Sequence, residues 1–290
     1  MSAQGKATLT LIFFSTLWGM TWLPFKYLEE QGLNGLTINL GAYFVAFLIT
    51  LPLAWSRHRD IDSQSWQTLL GTLIIGGSAM LCLNLALTYG DIIRVMALFY
   101  LLPFWGLIGG YLFLKEHITP TRIFAMLLSL VGAFTVLGGT TLFAANFDWT
   151  DYIALSSGLL FALNNILFRS SHQVPIILKL NAMFLGVVLI SSTLTLALNI
   201  DLPHSNLNTQ TWFVWGMLAL IWMLIANLGT QWAVTQLESA RSSIILILQL
   251  ITATVSASFI LSEPLTQLEI LGLSLIICAA IIASYAKHTH

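Results

Sequence analysis

The chain of 290 residues is 57% hydrophobic and only 8% charged, and its mean hydropathy is +0.86. A soluble domain needs far more charged surface than this, so the composition excludes an ordinary soluble protein and predicts one embedded in a lipid bilayer. The net charge of −1, with 11 Lys and Arg spread along the chain, supplies no basic surface for nucleic acid. We therefore predict a membrane protein whose surroundings are membrane lipid and which does not bind nucleic acid.

Ten apolar stretches follow one another along the chain, separated by short polar segments. Each is about long enough to cross a hydrocarbon core, which takes roughly 20 residues of helix. The gaps between them are too short to hold a soluble domain. The sequence thus predicts an all-α integral membrane protein with ten transmembrane helices, at approximately residues 7–27, 35–55, 66–88, 92–114, 121–139, 151–169, 176–200, 210–236, 240–261 and 266–286.

The positions of Lys and Arg predict the orientation, because cations in short loops stay on the cytoplasmic side. With the N terminus inside, only Lys26 and Arg94 fall outside. The pattern predicts an N-in, C-in multi-pass protein of the inner (plasma) membrane. The cytoplasmic cations are then Lys6, Arg57, Arg59, Lys115, Arg122, Arg169, Lys179, Arg241 and Lys287.

The two halves of the chain resemble each other. A shift of 147 residues aligns DIIRVMALF…FLKEHITPTR with ESARSSIIL…ILSEPLTQLE and pairs Arg94 with Arg241 and Glu116 with Glu263. A shift of 143 residues aligns LWGMTWLPFK with LFALNNILFR. Each half holds five helices, an odd number, so the second half must enter the membrane with opposite polarity. We predict two inverted five-helix repeats, residues 1–140 and 141–290, with a substrate site between them near the midplane.

Neutral polar and aromatic side chains occupy the middle of the predicted helices, where no Asp, Glu, Lys or Arg is found. A central carboxylate for proton antiport is therefore disfavoured. An amide without a partner in hydrocarbon costs a few kcal/mol, so the amides must face protein, water or substrate. Hydrogen bonding from helix to helix is the alternative role for each of them. The predicted substrate-binding residues are Trp18, Thr21, Trp22, Asn84, Tyr100, Trp105, Asn164, Asn165, Gln231 and Gln249.

Within this set, the first and sixth helices carry repeat-equivalent residues, which we expect to face one another across the axis between the halves. Pro103 is predicted to be a hinge, because proline frees a backbone carbonyl and permits a bend. Its counterpart in the second half is Leu250. We therefore expect the two halves to bend unequally around the site.

Three segments carry a family resemblance: LWGMTW in the first helix, RVMALFYLLPFWGLIGGYLFLKEHIT across the fourth, and the counterpart FILSEPLTQLEILGLSLIICAA. They resemble EamA-type members of the drug/metabolite transporter superfamily. In that pattern the fourth or ninth helix contains a proline and ends in a short apolar run and Glu, before a Gly- or Ala-rich helix. The resemblance implies a secondary transporter of small metabolites, often an exporter of amino acids, with a central cavity between the repeats.

Taken together, these features predict a transporter that exports neutral or aromatic amino acids or related compounds across the cytoplasmic membrane by alternating access. Broad amphipathic drug efflux or metabolite uptake is the alternative within this class, and a non-transporting membrane receptor is the alternative outside it. The sequence shows no nucleophile with a base, no paired carboxylates and no metal-ligating cluster at shared depth, so we predict no enzymatic activity, no cofactor and no metal. The protein is expected to be a monomer or a homodimer.

Overall fold

The computed structural model describes residues 3–57, 62–139, 146–200, 207–262 and 264–285, which are almost entirely helical and contain no strand. Nine of the helices in these ranges are long and apolar enough to cross a membrane, and the apolar helix Pro120–Val136 is shorter. The all-helical membrane fold is confirmed. In chain order the helices are α1 Ala3–Glu30, α2 Gly35–Arg57, α3 Ser63–Tyr89, α4 Ile92–Leu114, α5 Pro120–Val136, α6 Trp149–Ser170, α7 Ile176–Ala197, α8 Thr209–Gln236, α9 Ser239–Leu261 and α10 Gln267–Tyr285.

Side-chain caps fix where five of the helices begin. In each case an oxygen of an Asp, Asn or Thr side chain accepts a hydrogen bond from a backbone N–H in the first turn, which would otherwise lack a partner. At α6 the cap is reciprocal, since the N–H of Asp148 is also bonded by the Asp151 carboxylate. The capping residues are Asp62, Asp91, Thr119, Asp148 and Asn208.

Helices α4 and α9 are interrupted at equivalent places. Helix α4 consists of Ile92–Phe99 and Leu102–Leu114, with Pro103 in the first turn of the second piece. Helix α9 consists of Ser239–Leu246 and Leu248–Leu261, and its interruption at Ile247 is the repeat counterpart of Tyr100. Helix α9 is thus interrupted without a proline, and the unequal bending of the two halves stays a prediction. At both places the backbone changes to hydrogen bonds three residues apart, which tighten the turn locally.

Helix α1 is broken between Ala3–Trp18 and Trp22–Glu30. Pro24 has no N–H to donate to the carbonyl of Met20, so the preceding turn is tightened as well. The Trp222 indole donates to the carbonyl of Leu17 over 2.8 Å. Trp222 belongs to a π-helical section of α8, Leu218–Ala226. Two irregular stretches of helix thus meet at mid-length, a feature that is typical of helices lining a transport site.

The helices pack in pairs that relate α1–α5 to α6–α10. Helix α5 packs on α10, α2 packs on α7 and α4 packs on α9. Helix α3 packs on α6 as α8 packs on α1, and α4 packs on α6 as α9 packs on α1. Every one of these contacts joins one half of the chain to the other, so the core that holds the molecule together lies between the halves.

Two ends of this bundle need names. The Glu116 end contains the ends of α4 and α6 and the beginning of α9, and the Asp91 end is opposite. Helices α4 and α9 meet in the half near Glu116, where Gly106 and Gly110 lie against Ser243 and Ser239. In the other half they have few direct contacts among the described residues. The two helices therefore form a V that is closed at the Glu116 end.

Candidate functional site

A buried pair of amides lies between α6 and α8. Gln231 Nε2 donates to Asn165 Oδ1 over 3.3 Å, and the two residues are only 1% and 3% exposed. The remaining amide atoms, Asn165 Nδ2 and Gln231 Oε1, have no hydrogen-bond partner within the described residues. Exchanging the oxygen and nitrogen positions of both amides would still leave one donor and one acceptor. The pair can therefore bind a group that both accepts and donates a hydrogen bond.

Asn164, the neighbour of Asn165, points to a different side of α6. Its Nδ2 lies 3.7 Å from the sulfur of Met183 on α7, and its Oδ1 has no partner among the described atoms. Gly76 on α3 makes room for this amide, since a Cβ there would lie 2.7 Å from Oδ1. The structure thus adds a second unpaired acceptor, on the α3 and α7 side of α6.

The tryptophans of α1 bond to α8 and α9. Trp18 Nε1 donates to Thr230 Oγ1 over 3.2 Å, and Trp22 Nε1 donates to Ser256 Oγ over 2.9 Å. Thr21 Oγ1 donates to the carbonyl of Trp18 within the break of α1. Among the described residues these side chains do not bond directly to the asparagines of α6, and their facing one another across the axis stays a prediction. Thr230 and Gln231 are consecutive, so α8 connects the two sets.

Tyr100 and Gln249 join α4 to α9 close to the interruptions of both helices. Tyr100 is buried, and its hydroxyl is hydrogen-bonded to the Gln249 side chain. Trp105, one and a half turns further along α4, packs against a cluster contributed by α1, α6, α8 and α9. Its Nε1 is buried without a hydrogen-bond partner in the described part of the chain. Asn84 is half-buried on α3.

The polar and aromatic residues described above at mid-length of α1, α4, α6 and α8 are named here the polar belt. Hydrogen bonds join four of them in two pairs, while Asn164 faces α3 and α7. The polar belt lies in the middle of the bundle, and several of its polar atoms are buried without a partner. Thr230 was not predicted, although its position next to Gln231 is a signal that sequence reasoning could use. The polar belt consists of Trp18, Trp105, Asn164, Asn165, Thr230 and Gln231.

A second group of polar residues, at the Glu116 end, was missed as a functional feature because its members lie at the ends of the predicted helices or in the connections between them. Glu116 Oε1 lies 2.7 Å from Arg169 Nε, and both carboxylate oxygens accept from the N–H of Ser239, over 3.1 and 3.0 Å. Beside it, Arg122 forms an ion pair with Glu238. Burial raises the pKa of Glu116 above its ordinary value, against the opposing effect of Arg169. The end of α4 is thus tied to α6 and α9.

The two repeat-equivalent arginines have different partners. Arg94 Nε lies 2.8 Å from Asp151 Oδ1 at the Asp91 end. Arg241 donates to Thr8 Oγ1 over 2.8 Å at the Glu116 end. Thr8 and Asp151 align at the shift of 143 residues. The arginine at equivalent places in the two halves therefore bonds to a carboxylate at one end and to an uncharged hydroxyl at the other.

Lys179 is fully buried, and its ammonium caps the end of α6. Its Nζ donates to the carbonyls of Phe168 and Ser171 over 2.7 and 2.9 Å. Replacing Lys179 by Met should lower stability by about 2 kcal/mol, because these carbonyls lose a charged donor. Thermal unfolding in detergent measures this, with exposed Lys6→Met as the matched control. Equal melting temperatures for the two variants would contradict the prediction.

Comparison with known proteins adds the family. Residues 5–138, which span α1–α5, match the model of the EamA-like transporter family. The resemblance to EamA-type drug/metabolite transporters is therefore confirmed. No curated protein matches this chain. A solved structure titled "Crystal structure of protein" is 14% identical over 96% of both chains with a TM-score of 0.78, which shows a shared fold.

Proposed function

We propose that this EamA-like protein is a secondary transporter that exports neutral or aromatic amino acids or related compounds across the inner membrane by alternating access. The observation that carries the proposal is the V formed by α4 and α9, closed at one end of the polar belt and open at the other. In alternating access, one half of a transporter rocks against the other so that a central site faces each side in turn.

The proposed architecture is ten transmembrane helices in two inverted repeats, N-in and C-in. The mirrored contacts of α1–α5 with α6–α10 and the matching interruptions of α4 and α9 support it. The boundary at residues 140 and 141 lies outside the described residues, as do Arg59, Glu263 and Lys287. The cytoplasmic side is then the Glu116 end, where the cations are Lys6, Arg57, Lys115, Arg122, Arg169, Lys179 and Arg241.

The chemistry of the polar belt supports the substrate class. A neutral or aromatic amino acid has an apolar body and a head that both donates and accepts hydrogen bonds. The indoles of Trp18 and Trp105 offer apolar surface, and Asn165 and Gln231 offer an unpaired donor and acceptor. The break in α1 adds two helix ends of opposite dipole sign, which suit the two charges of a zwitterion.

Purified protein in liposomes tests the proposal. We expect saturable flux of radiolabelled aromatic amino acids, and Trp105→Ala should reduce it about tenfold because the substrate loses its apolar surface and an indole donor. Normal flux in both Trp105→Ala and Asn165→Ala would contradict the proposed site. A ligand-induced thermal shift without any flux would favour a receptor. In cells that overexpress the protein, resistance to a toxic analogue would indicate export, and sensitisation would indicate uptake.

A further inference from the structure

Glu116 connects three helices that belong to both halves of the chain. It follows the last turn of α4, it pairs with Arg169 at the end of α6, and it accepts the first N–H of α9 at Ser239. Glu116, Arg169 and Ser239 are named here the Glu116 latch. Their side chains are largely shielded from solvent. A carboxylate with bonds to two neighbouring helices is well placed to hold them together.

Helices α4 and α9 approach closely beside the Glu116 latch. A Cβ on Gly110 would lie 3.1 Å from Ser239 Cβ, and a Cβ on Gly106 would lie 2.1 Å from Ser243 Oγ. At the Asp91 end the same two helices have few direct contacts with each other among the described residues. The structure is therefore closed where the Glu116 latch is made.

We propose that Glu116 is the positioning residue that keeps the transporter closed at the Glu116 end, and that its release from Arg169 and Ser239 is required for this end to open. The inference rests on the proposed function, because it assigns the latch to one half of an alternating-access cycle. Because Glu116 lies outside the polar belt, its proposed role does not depend on which substrate is bound.

The latch works chiefly through the acceptor oxygens of Glu116. The charged groups around the carboxylate are Arg169, Arg122 and Glu238, and burial raises the pKa of Glu116 in spite of the two arginines. The N–H of Ser239 and the guanidinium of Arg169 both donate to the oxygens of Glu116, and an uncharged carbonyl oxygen at the same place can also accept a hydrogen bond. A neutral side chain that still accepts hydrogen bonds, as in Glu116→Gln, should therefore preserve the latch.

Thiol labelling with a membrane-impermeant reagent tests the latch without any substrate. In a background in which Cys82 and Cys278 are replaced by Ala, Ser243→Cys reports on the closed side of the V and Ser256→Cys reports beyond the crossing. Ser243 is 1% exposed, whereas Ser256 is half-buried. We expect Glu116→Ala to speed labelling at position 243 by about tenfold, the effect of losing a charged hydrogen bond, and to slow it at position 256.

Two further variants separate a latch from a general structural role. Glu116→Gln should restore the labelling rates of the native side chain. Glu269→Ala removes a carboxylate that bonds to Thr266 at the beginning of α10, and it should leave both rates unchanged. If Glu116→Ala does not fold, Arg169→Gln removes one bond of the latch and should give a smaller change of the same sign.

The outcomes divide clearly. Faster labelling at position 243 with slower labelling at position 256 supports the proposal. The two rates change in opposite directions only if the protein shifts from a conformation closed at the Glu116 end to one closed at the Asp91 end. Faster labelling at both positions means loosened packing and overturns it, as do unchanged rates. Absence of amino acid flux in liposomes would overturn the proposed function and leave the labelling result readable.

Discussion

Gly186→Ala should destabilise the protein by about 3 kcal/mol or more, the upper range for overpacking a tight core. Gly186 on α7 lies where α3 crosses, and an added Cβ would be 2.0 Å from the carbonyl oxygen of Leu73 and 2.8 Å from its carbon. Backbone atoms cannot rotate away as a side chain can, so α3 and α7 would have to separate. Small residues of this kind allow helices in membranes to approach closely.

Gly216→Ala is the matched control for Gly186→Ala. Gly216 also lies within a helix, α8, but no atom lies within 4 Å of an added Cβ there. The same substitution should then raise the free energy of unfolding by about 1 kcal/mol, because alanine favours a helix more than glycine does. Thermal unfolding and the yield of monodisperse protein in detergent measure both variants. A Gly186→Ala protein as stable as the Gly216→Ala protein would show that the α3–α7 crossing is not close-packed.

The sequence predicts the helices well because a helix must satisfy its own backbone in lipid, so that length and composition locate it directly. It also identifies the family and most members of the polar belt, since polar residues are conspicuous in apolar helices. Pro103 marks the interruption of α4, but the equivalent interruption at Ile247 has no proline and so carries no such signal in the sequence. Pro24 was overlooked, although it accompanies the break in α1 that places Trp18 and Trp22 on separate pieces of helix.

The partners of each polar residue could not be predicted, because they depend on how ten helices pack and not on any one of them. Asn164 and Asn165 are adjacent in sequence but contact different helices. Glu116 lies in a short connection, and its role depends on Ser239, more than 100 residues away. Repeat symmetry aligns Thr8 with Asp151, but only the structure shows that each lies beside the equivalent arginine.

Replacing both Asn165 and Gln231 by Leu should abolish transport while leaving the protein as stable as before, or more stable. The two amides make one hydrogen bond with each other and leave two polar atoms unpaired. Leucine side chains of similar size remove the free-energy cost of burying the unpaired atoms, and this offsets the loss of the single hydrogen bond. Transport should fall at least about tenfold in liposomes, because the substrate loses both of the groups that would bind its head.

Asn181→Leu is the control with the opposite expectation. Asn181 Nδ2 donates to the carbonyl of Phe47 and to Thr50 Oγ1, over 3.1 and 2.9 Å, so this amide holds α7 to α2 and leaves neither donor of its Nδ2 unused. Its loss should lower the melting temperature and spare transport by the protein that remains folded. If the Asn165 and Gln231 double variant loses stability and keeps its flux, those amides bond helix to helix, and the polar belt is not the substrate site. The opposite signs of the stability changes separate the two roles of a buried amide even where both variants express poorly.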